Sequence, residues 1–312
     1  MTAAVSSSRR RPRALVPGDR IAIVAPASAF DAGELDAGVA ELRSLGFEPV
    51  FDDTLFLRDG YLAGDARTRA AALKRAWADP SIAAVMAARG GYGSVQLLPY
   101  LDPSIEAKAF IGSSDLTSLQ TWLVQRAQMV TFHGPMVAGR FARGPEGYDR
   151  DVFLRAVTRA EPLGELPAPA LETLVPGEAS GLLVGGTLAQ IAASLGTPYA
   201  FDPPAGSVLF LEDVGERPYR LDRLVTQLVL SGLLARVAAV VLGTFPDCDE
   251  ASGQYTARQT LATLFAAFPG PVVFGLPAGH VNGPALTLPL GVQARLVATG
   301  TPRVVIEEAA VV

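Results

Sequence analysis

The stretch that decides the fold runs from residue 20 to residue 51 and begins with Arg20-Ile-Ala-Ile-Val-Ala-Pro26. This short apolar run, ended by a proline, predicts a buried strand. Residues Ala32 to Leu45 carry apolar side chains at helical spacing, and Gly46 is a typical helix stop. Residues Glu48 to Phe51 predict a second strand. A strand, a helix and a strand in succession form the repeating unit of a parallel sheet.

The alternation of strands and helices continues through the first half of the chain. Helices are predicted from Ala66 to Trp77 and from Thr117 to Arg126, and strands from Ile82 to Ala87 and from Ala109 to Gly112. Strands that alternate with helices in this way build a parallel sheet covered by helices on both faces. The sequence therefore predicts the α/β class.

The second half of the chain has a different pattern. Residues 138–178 are rich in Arg, Gly, Pro and Glu, which is typical of a connection between domains. A long helix is predicted from Tyr219 to Leu234, with Pro218 suited to its first turn. The strands expected here are residues 182–184, 207–212, 237–242, 272–274, 286–288 and 293–298. We expect four parts: a disordered basic tail (1–13), an N-terminal domain (14–137), a linker (138–178) and a C-terminal domain (179–312).

Composition narrows the classes of function. With 49% hydrophobic and 18% charged residues in 312, the chain has the balance of a well-packed globular protein. Its net charge of −5 does not attract a phosphate backbone, so we expect no nucleic-acid partner. Cys248 is the single cysteine and no Cys/His cluster has metal-ligand spacing, so we expect no metal and no other cofactor. A single cysteine fits a reducing compartment, and no apolar run reaches the roughly 20 residues that span a bilayer. We expect a cytoplasmic protein with no membrane partner.

Ser114 is the first candidate for chemistry. It follows the predicted strand Ala109–Gly112 and precedes a predicted helix. A tight turn from strand to helix exposes a serine hydroxyl beside N–H groups that can hold an oxyanion. The alternative is that Ser113, Ser114 and Asp115 only cap the helix. The turn also differs from the Gly-x-Ser-x-Gly elbow, because Leu116 occupies the place of the second glycine.

A glycine-rich loop, Arg89-Gly-Gly-Tyr-Gly-Ser94, follows the strand Ile82 to Ala87. It lies at the carboxyl end of that strand, where parallel sheets bind ligands, and its glycines let the main chain approach a ligand closely. Neither the phosphate-loop nor the dinucleotide spacing is present. We expect the main chain at Gly91 to donate to an oxyanion, and the side chains of Arg89 and Tyr92 to contact substrate. A plain tight turn is the alternative.

Glu212 ends the apolar run that starts at Ser207, so its carboxylate is expected at a sheet edge and partly out of water. Such a carboxylate usually has a partner. Asp213 and Glu216 are rivals for the role of a catalytic acid, and spacing alone does not rank them. The alternative to catalysis is an ion pair with one of three arginines, Arg217, Arg220 or Arg223.

The chain has two histidines, so a histidine base is confined to two positions. His280 lies in a loop between Gly279 and Gly283, which favours an exposed functional group. His133 precedes Gly134 and is interpreted as structural. Serine, acid and histidine then occur in an order known from other triads, although a triad is recognised by its geometry.

At these residues the chain resembles the LD-carboxypeptidases, the muramoyl-tetrapeptide carboxypeptidase family that also includes the microcin C immunity hydrolases. The resemblance covers nearly the whole chain, and seven motifs in one order make it specific. They are Pro17-Gly-Asp-Arg-Ile-Ala-Ile-Val-Ala-Pro26, Tyr61-Leu-Ala-Gly64, Ala88-Arg-Gly-Gly-Tyr-Gly93, Ile111-Gly-Ser-Ser-Asp115, Phe132-His-Gly-Pro135, Leu211-Glu-Asp213 with Tyr219-Arg-Leu-Asp-Arg223, and Gly275-Leu-Pro-Ala-Gly-His280.

The resemblance implies a flavodoxin-like N-terminal domain with a parallel sheet, followed by a smaller β-rich C-terminal domain, and an active site between the two. It implies that Ser114 is the nucleophile, Glu212 the orienting acid and His280 the base. Backbone oxyanion donors are implied near Gly91 and Asp115. It further implies a cytoplasmic homodimer that needs no metal.

Two positions depart from the family pattern. Ser113 stands where an aromatic residue is common, which leaves the nucleophile open between two adjacent serines. Gly185-Gly-Thr187 replaces Gly-Gly-Asn, which bears on the pocket or on domain packing. The expected function is release of terminal D-alanine from murein tetrapeptide, in peptidoglycan recycling. The alternatives are an immunity-type amidase that hydrolyses peptidyl or aminoacyl nucleotides, and a catalytically silent ligand-binding relative.

Overall fold

The computed structural model describes residues 9–312, and residues 1–8 lie outside the described range. The predicted disordered tail falls partly on those eight residues. Residues 9–13, in contrast, belong to the folded structure. The Arg10 amide donates to the carbonyl of Gln128 at 2.7 Å, and its guanidinium donates to the carbonyls of Ile105 and Ala127. The prediction of disorder was wrong for this part, because the arginines satisfy main-chain carbonyls of the N-terminal domain.

The strands of the described residues form two sheets. In chain order they are β1 (Arg20–Val24), β2 (Glu48–Val50), β3 (Ile82–Ala87), β4 (Ala109–Gly112), β5 (Thr131–His133), β6 (Gly164–Glu165), β7 (Glu172–Val175), β8 (Glu178–Thr187), β9 (Ser207–Glu212), β10 (Val237–Leu242), β11 (Val272–Phe274), β12 (Leu288–Leu290), β13 (Gln293–Val297) and β14 (Arg303–Ile306).

Helices cover the sheets. In chain order they are α1 (Ala32–Ser44), α2 (Ala66–Ala78), α3 (Thr117–Gln125), α4 (Arg150–Thr158), α5 (Leu188–Ser194), α6 (Pro218–Leu230) and α7 (Ala257–Phe265). Within residues 9–312, no helix combines the length and the apolar character that crossing a membrane requires.

Local chemistry explains several helix ends. The Asp31 side chain caps α1 by accepting from the amides of Gly33 and Glu34. Pro218 is the first residue of α6, as the sequence predicts. That helix ends four residues before the predicted Leu234, because Gly232 takes a left-handed conformation (φ 76°) that stops it.

The first sheet has the order β12-β5-β4-β3-β1-β2. Its five N-terminal strands are parallel, and every residue of β3 is buried, which fits a strand covered on both faces. Strand β12 pairs antiparallel with β5 and places Leu288 opposite His133. The sequence predicts a strand at residues 286–288, and the observed strand lies two residues later. A strand from the C-terminal part of the chain therefore completes the N-terminal sheet.

The second sheet has the order β6-β14-β13-β8-β9-β10-β11-β7. Its centre, β8 to β11, is parallel, with α5, α6 and α7 in the connections. Strands β13 and β14 extend one side in antiparallel pairing, and β7 closes the other. Together the two sheets confirm the α/β class and a flavodoxin-like parallel N-terminal sheet followed by a β-rich C-terminal part.

The predicted linker, residues 138–178, is a folded connection. It contains α4, and its two strands pair at the edges of the second sheet, β6 with β14 and β7 with β11. In the first part of this segment, the rings of Phe141 and Tyr148 are buried and stack with their centroids 4.3 Å apart. Its glycines and prolines lie in turns between short helices and strands. Composition alone does not distinguish such a segment from an extended linker.

Candidate active site

The candidate active site lies where the carboxyl ends of the two parallel sheets meet. The loops after β3 and β4 come from the first sheet, and the end of β9 and the loop after β11 come from the second. The Thr187 amide, at the end of β8, donates to the Thr117 hydroxyl at 3.0 Å. This hydrogen bond connects the two sheets at their junction. A cavity of about 400 Å³ opens at this junction, and Ser114 and His280 both line it. Parallel sheets bind their ligands at this end of the strands.

Ser114 occupies a strained turn. Its φ of 60° is in the left-handed region, where a residue with a side chain costs about 1–3 kcal/mol. Ser113, in contrast, is extended, with a φ of −153°, and is buried. Both serines line the cavity, but the strain is at Ser114. Neither the short turn that starts at Ser114 nor α3 has a side-chain capping bond in the described structure, so the simple capping interpretation fails.

The side chain of Asp115 holds the glycine-rich loop against the serine turn. Its carboxylate accepts from the Ser94 amide at 2.8 Å, and its carbonyl accepts from the Ser94 hydroxyl at 2.6 Å. Burial raises the pKa of this carboxyl, and the Ser94 bonds oppose the rise. The sequence predicts a role for the main chain of Asp115 but not this side-chain role, because Ser94 is distant in sequence.

The glycine-rich loop packs directly on the serine turn. A methyl group built on Gly90 would lie 3.0 Å from the Ser114 Cβ. One built on Gly91, whose φ is 98°, would lie 2.5 Å from the Ser28 hydroxyl. Gly91 therefore requires glycine, and the space beside Gly90 is tight. Arg89 is exposed and lines the cavity. Tyr92 lies outside the cavity wall, with its ring 5.9 Å from that of Tyr61.

Glu212 and His280 are joined by two hydrogen bonds. The carboxylate Oε2 lies 2.7 Å from the His280 Nδ1 and also accepts from the His280 amide at 2.8 Å. Glu212 is fully buried, whereas His280 is half-buried and lines the cavity. An Nδ1–H that donates to the carboxylate leaves the Nε2 lone pair as a proton acceptor.

The pKa values of this pair move apart. Burial opposes ionisation of both groups, but the hydrogen bond and the charge attraction between them outweigh it. The pKa of Glu212 is held at about 2, and the pKa of His280 lies above its usual 6.5. Glu212 is therefore ionised throughout the neutral range and stabilises a proton on His280.

The rival acids have other partners. The Asp213 carboxylate accepts from the amides of Ala189 and Val214, at 2.8 and 2.9 Å. Burial raises the pKa of Asp213 to about 7, and repulsion from Glu212 adds to the rise. The arginine alternative for Glu212 is not supported within residues 9–312. Each nearby arginine has another partner: Arg217 pairs with Glu250, Arg220 with Glu216, and Arg223 lies over the Tyr219 ring.

Thr187 provides a second contact to the acid. Its buried hydroxyl donates to Glu212 Oε1, the oxygen that His280 does not use. Thr187 departs from the family pattern, but its contact with Glu212 could not be predicted from the sequence. Two glycines make room for the Glu212 side chain. Methyl groups built on Gly243 and Gly279 would lie 2.7 and 2.5 Å from Glu212 atoms.

His133 lies on the other side of Glu212. Its Nε2 is 3.9 Å from Glu212 Oε1, and its Nδ1 is 3.1 Å from the Gln120 side-chain oxygen. The amide nitrogen of Gln120 donates to two carbonyls, so its side-chain oxygen faces the histidine and accepts a hydrogen bond from the Nδ1–H group. Burial lowers the pKa of His133 to about 4. A neutral, fully buried His133 fits the structural role that the sequence predicts.

Arg140 holds the loop after His280, a contact that the sequence analysis missed. Its guanidinium donates to the carbonyls of Val281, Gly283 and Gly147, at 2.6, 2.8 and 3.0 Å. It also lines the cavity, together with Arg89 and Glu34. No sequence signal pointed to it, because it lies in the segment interpreted as a linker.

Two family models match the chain. The N-terminal domain of the LD-carboxypeptidases matches residues 21–134, and the C-terminal domain of the same family matches residues 180–296. The two matched segments include every residue of the Ser114, Glu212 and His280 group.

Curated relatives carry carboxypeptidase names. A Streptomyces coelicolor protein named as a carboxypeptidase is 41% identical over 303 residues, which cover 93% of this chain and 94% of the relative. The murein tetrapeptide carboxypeptidase of Pseudomonas aeruginosa is 34% identical over 271 residues, covering 84% of this chain and 88% of the relative.

Solved structures share the fold. The apo microcin C7 self-immunity protein MccF superimposes with a TM-score of 0.90 at 24% identity, covering 97% of this chain and 100% of that chain. The muramoyltetrapeptide carboxypeptidase from Oxalobacter formigenes superimposes with a TM-score of 0.82 at 31% identity, covering 93% and 99%.

Proposed function

Since the chain belongs to the LD-carboxypeptidase family and is a serine-type carboxypeptidase, we propose that it releases terminal D-alanine from murein tetrapeptide with a Ser114-Glu212-His280 triad. One observation carries this proposal. The 2.7 Å contact between Glu212 and His280 Nδ1 lies at the cavity that Ser114 also lines. An acid that orients a histidine beside a strained serine is the arrangement that activates a serine for attack.

The proposed reaction has two halves. The Ser114 Oγ attacks the carbonyl carbon before the terminal residue, and His280 Nε2 takes the hydroxyl proton. The C–N bond then breaks, and the imidazolium returns that proton to the amine of the leaving D-alanine. Water attacks the acyl-serine next and gives one proton to His280, which passes it to the leaving Ser114 Oγ. The shortened peptide leaves as a carboxylic acid, which releases its proton to solvent. Glu212 stays ionised throughout and stabilises the imidazolium.

The oxyanion that forms in both halves needs hydrogen-bond donors. We assign the backbone amides of Gly91 and Asp115 to this role. The packing of Gly90 on Ser114 and the Ser94 contacts of Asp115 support it, because they hold both chain segments at the serine.

A carboxypeptidase also needs a cation for the terminal carboxylate of its substrate. Arg89 fits that role. Arg89 lines the cavity, and over residues 9–312 its guanidinium has neither a hydrogen bond nor an ion pair. Planar guanidinium groups bind carboxylates with two parallel hydrogen bonds. Tyr92, on the same loop, is exposed beside this position and is proposed to contact the peptide.

The immunity-type reaction is a second candidate, because MccF has the same fold. The cavity wall argues for murein peptide. Among the residues that the structure describes, the wall contains no phenylalanine, tyrosine or tryptophan. Nucleobases are usually held by stacking on aromatic rings. We further propose that the enzyme works as a cytoplasmic homodimer in peptidoglycan recycling.

The experiment that tests the function compares the two configurations of the terminal residue. Murein tetrapeptide ending in D-alanine is incubated with the enzyme beside the same peptide ending in L-alanine, and alanine release is measured by mass spectrometry. Because the scissile carbonyl must be held in a narrow geometry, the L-ending peptide should lose about 10²-fold or more in kcat/KM. Equal rates would overturn the proposal. Cleavage of neither peptide, with rapid hydrolysis of an aminoacyl sulfamoyl adenosine, would establish the immunity-type reaction instead.

A further inference from the structure

Asp213 is a buried carboxylate to which the catalytic proposal gives no role. It follows Glu212 directly after β9, and both side chains are buried. Burial raises the pKa of Asp213 to about 7, and repulsion from Glu212 adds to the rise. Two buried carboxylates side by side oppose folding unless each is matched by fixed hydrogen-bond donors. The donors that Asp213 contacts therefore indicate its role.

One of those donors lies in the segment that follows the neighbouring strand, β8. Thr187 is the last residue of β8 and pairs with Glu212 in the sheet, and α5 begins directly after it. Asp213 Oδ2 accepts from the Ala189 amide, in the first turn of α5, at 2.8 Å. Asp213 Oδ1 accepts from the Val214 amide at 2.9 Å. Asp213 therefore caps, from the adjacent strand, a helix to which it does not belong.

Thr187 occupies the N-cap position of α5, where a threonine hydroxyl normally accepts from an amide of the first turn. Thr256 does this at the start of α7, accepting from the Gln259 amide at 3.1 Å. Among the described residues, the Thr187 side chain makes no such capping bond. Its hydroxyl donates to Glu212 Oε1 instead, and it lies 3.3 Å from the carbonyl of Ser114. The Thr187 hydroxyl is thus directed at the proposed triad rather than at its own helix.

We propose that Asp213 is a positioning residue for the triad: it accepts the amide that Thr187 would otherwise cap, and so keeps the Thr187 hydroxyl directed at Glu212. This inference rests on the proposed function, since it assumes that Glu212 orients His280. Two N–H donors face Asp213, and a carboxylate offers one oxygen to each. An asparagine would offer a single oxygen and would place its NH₂ group against the second amide.

An effect of Asp213 through its charge alone is the alternative. Its negative charge contributes to the raised pKa of His280, although the hydrogen bond and the charge of Glu212 contribute more. The two modes differ in how they depend on Thr187, because a positional effect needs the Thr187 hydroxyl and a charge effect does not. A double-mutant cycle separates them, since residues that act through one contact have non-additive effects.

The test uses four forms of the whole enzyme: the wild type, Asp213→Asn, Thr187→Val and the double variant. For each, kcat and KM are measured for D-alanine release from murein tetrapeptide, and thermal unfolding shows that the protein is folded. Asp249→Asn is the matched control. The Asp249 carboxylate accepts from the Ala257 amide at the start of α7, at 2.7 Å, outside the wall of the active-site cavity. If Asp213→Asn does not fold, Asp213→Ser takes its place, because serine is smaller and keeps one acceptor.

We expect Asp213→Asn and Thr187→Val each to lower kcat about tenfold with little change in KM, since both weaken the donation from Thr187 to Glu212. The double variant should lie within about twofold of Thr187→Val, because the contact that Asp213 supports is already gone. Asp249→Asn should leave kcat nearly unchanged. Costs that multiply to about 100-fold in the double variant, or an unchanged kcat in Asp213→Asn, would overturn the inference while the proposed function stands.

Failure of the proposed function gives a different result. A wild-type enzyme that releases no D-alanine but hydrolyses an aminoacyl sulfamoyl adenosine contradicts the proposed substrate alone. The same cycle on that substrate then decides the role of Asp213, which depends on the triad and not on the leaving group. A wild-type enzyme that hydrolyses neither substrate overturns both the proposed function and this inference.

Discussion

The buried interior of the site and its exposed rim differ in how firmly their charged side chains are held. In the interior, Glu212 is fully buried and each of its oxygens has a fixed partner, His280 on one side and Thr187 on the other. At the rim, Arg89 and Glu34 are exposed and have no partner among the described residues. Groups that carry out proton transfer must be held in one geometry, and groups that recognise substrate must be free until it arrives. The difference predicts large, substrate-independent effects in the interior and small, substrate-dependent ones at the rim.

The largest effect should come from Ser114, the proposed nucleophile. Ser114→Ala should lower kcat by about 10⁴-fold or more for every substrate, because triad members act as a unit. Ser113→Ala is the matched control, since both serines line the cavity and only Ser114 is strained. It should cost far less. Turnover is measured by D-alanine release, and substantial activity in the Ser114 variant would move the nucleophile to its neighbour.

The orienting acid comes next. Glu212→Gln should lower kcat by about 10³-fold or more, because the amide neither stabilises the imidazolium nor fixes the ring tautomer as a carboxylate does. Glu216→Gln removes an acid that pairs with Arg220 at the surface and should leave turnover nearly unchanged. Comparable turnover in Glu212→Gln and the wild-type enzyme would contradict the assignment.

The pH profile of the same pair of enzymes sharpens the comparison. His280 acts as a base only when neutral, so kcat/KM should rise with pH as its proton leaves. Glu212 raises the pKa of His280 above 6.5, so the acid limb of the wild-type profile should lie above that pH. In Glu212→Gln the carboxylate that raises the pKa of His280 is gone, so the acid limb of the profile should move to lower pH. A limb at the same pH in both enzymes would show that another group titrates.

The smallest interior effect should come from Thr187. Thr187→Val keeps the shape of the side chain but removes the donor to Glu212 Oε1, so kcat should fall about tenfold with little change in KM. Thr187→Ser restores the hydroxyl and should recover most of the loss. If Thr187 were merely structural, both variants would lose stability alike and kcat would not change. Thermal unfolding of the two proteins would reveal that loss of stability.

Much of the fold could be predicted because it depends on local pattern. The strand β3 and the helix α2 were predicted nearly to the residue, since a buried strand and an amphipathic helix differ in their apolar period. The errors occur where a segment pairs with a partner that is distant in sequence. The edge strands β6 and β7 are short and Gly/Pro-flanked, and their partners lie more than 90 residues away. Residues 9–13 are held largely by main-chain groups that lie far along the chain, such as the carbonyls of Gln128 and Ile105.

The sequence by itself determined which residues are available for chemistry. With two histidines, a serine on a strand-to-helix turn and an acid at a strand end, the candidate group was already small. It also determined the parallel sheets, whose carboxyl ends collect such residues. The tertiary structure alone decided which acid meets His280, because Glu212 and Asp213 are neighbours in sequence and have different partners, His280 and the Ala189 amide. It also decided that Thr187, Asp115 and Arg140 support the site and that Arg89 and Glu34 remain free, since those roles depend on contacts between segments far apart in the chain.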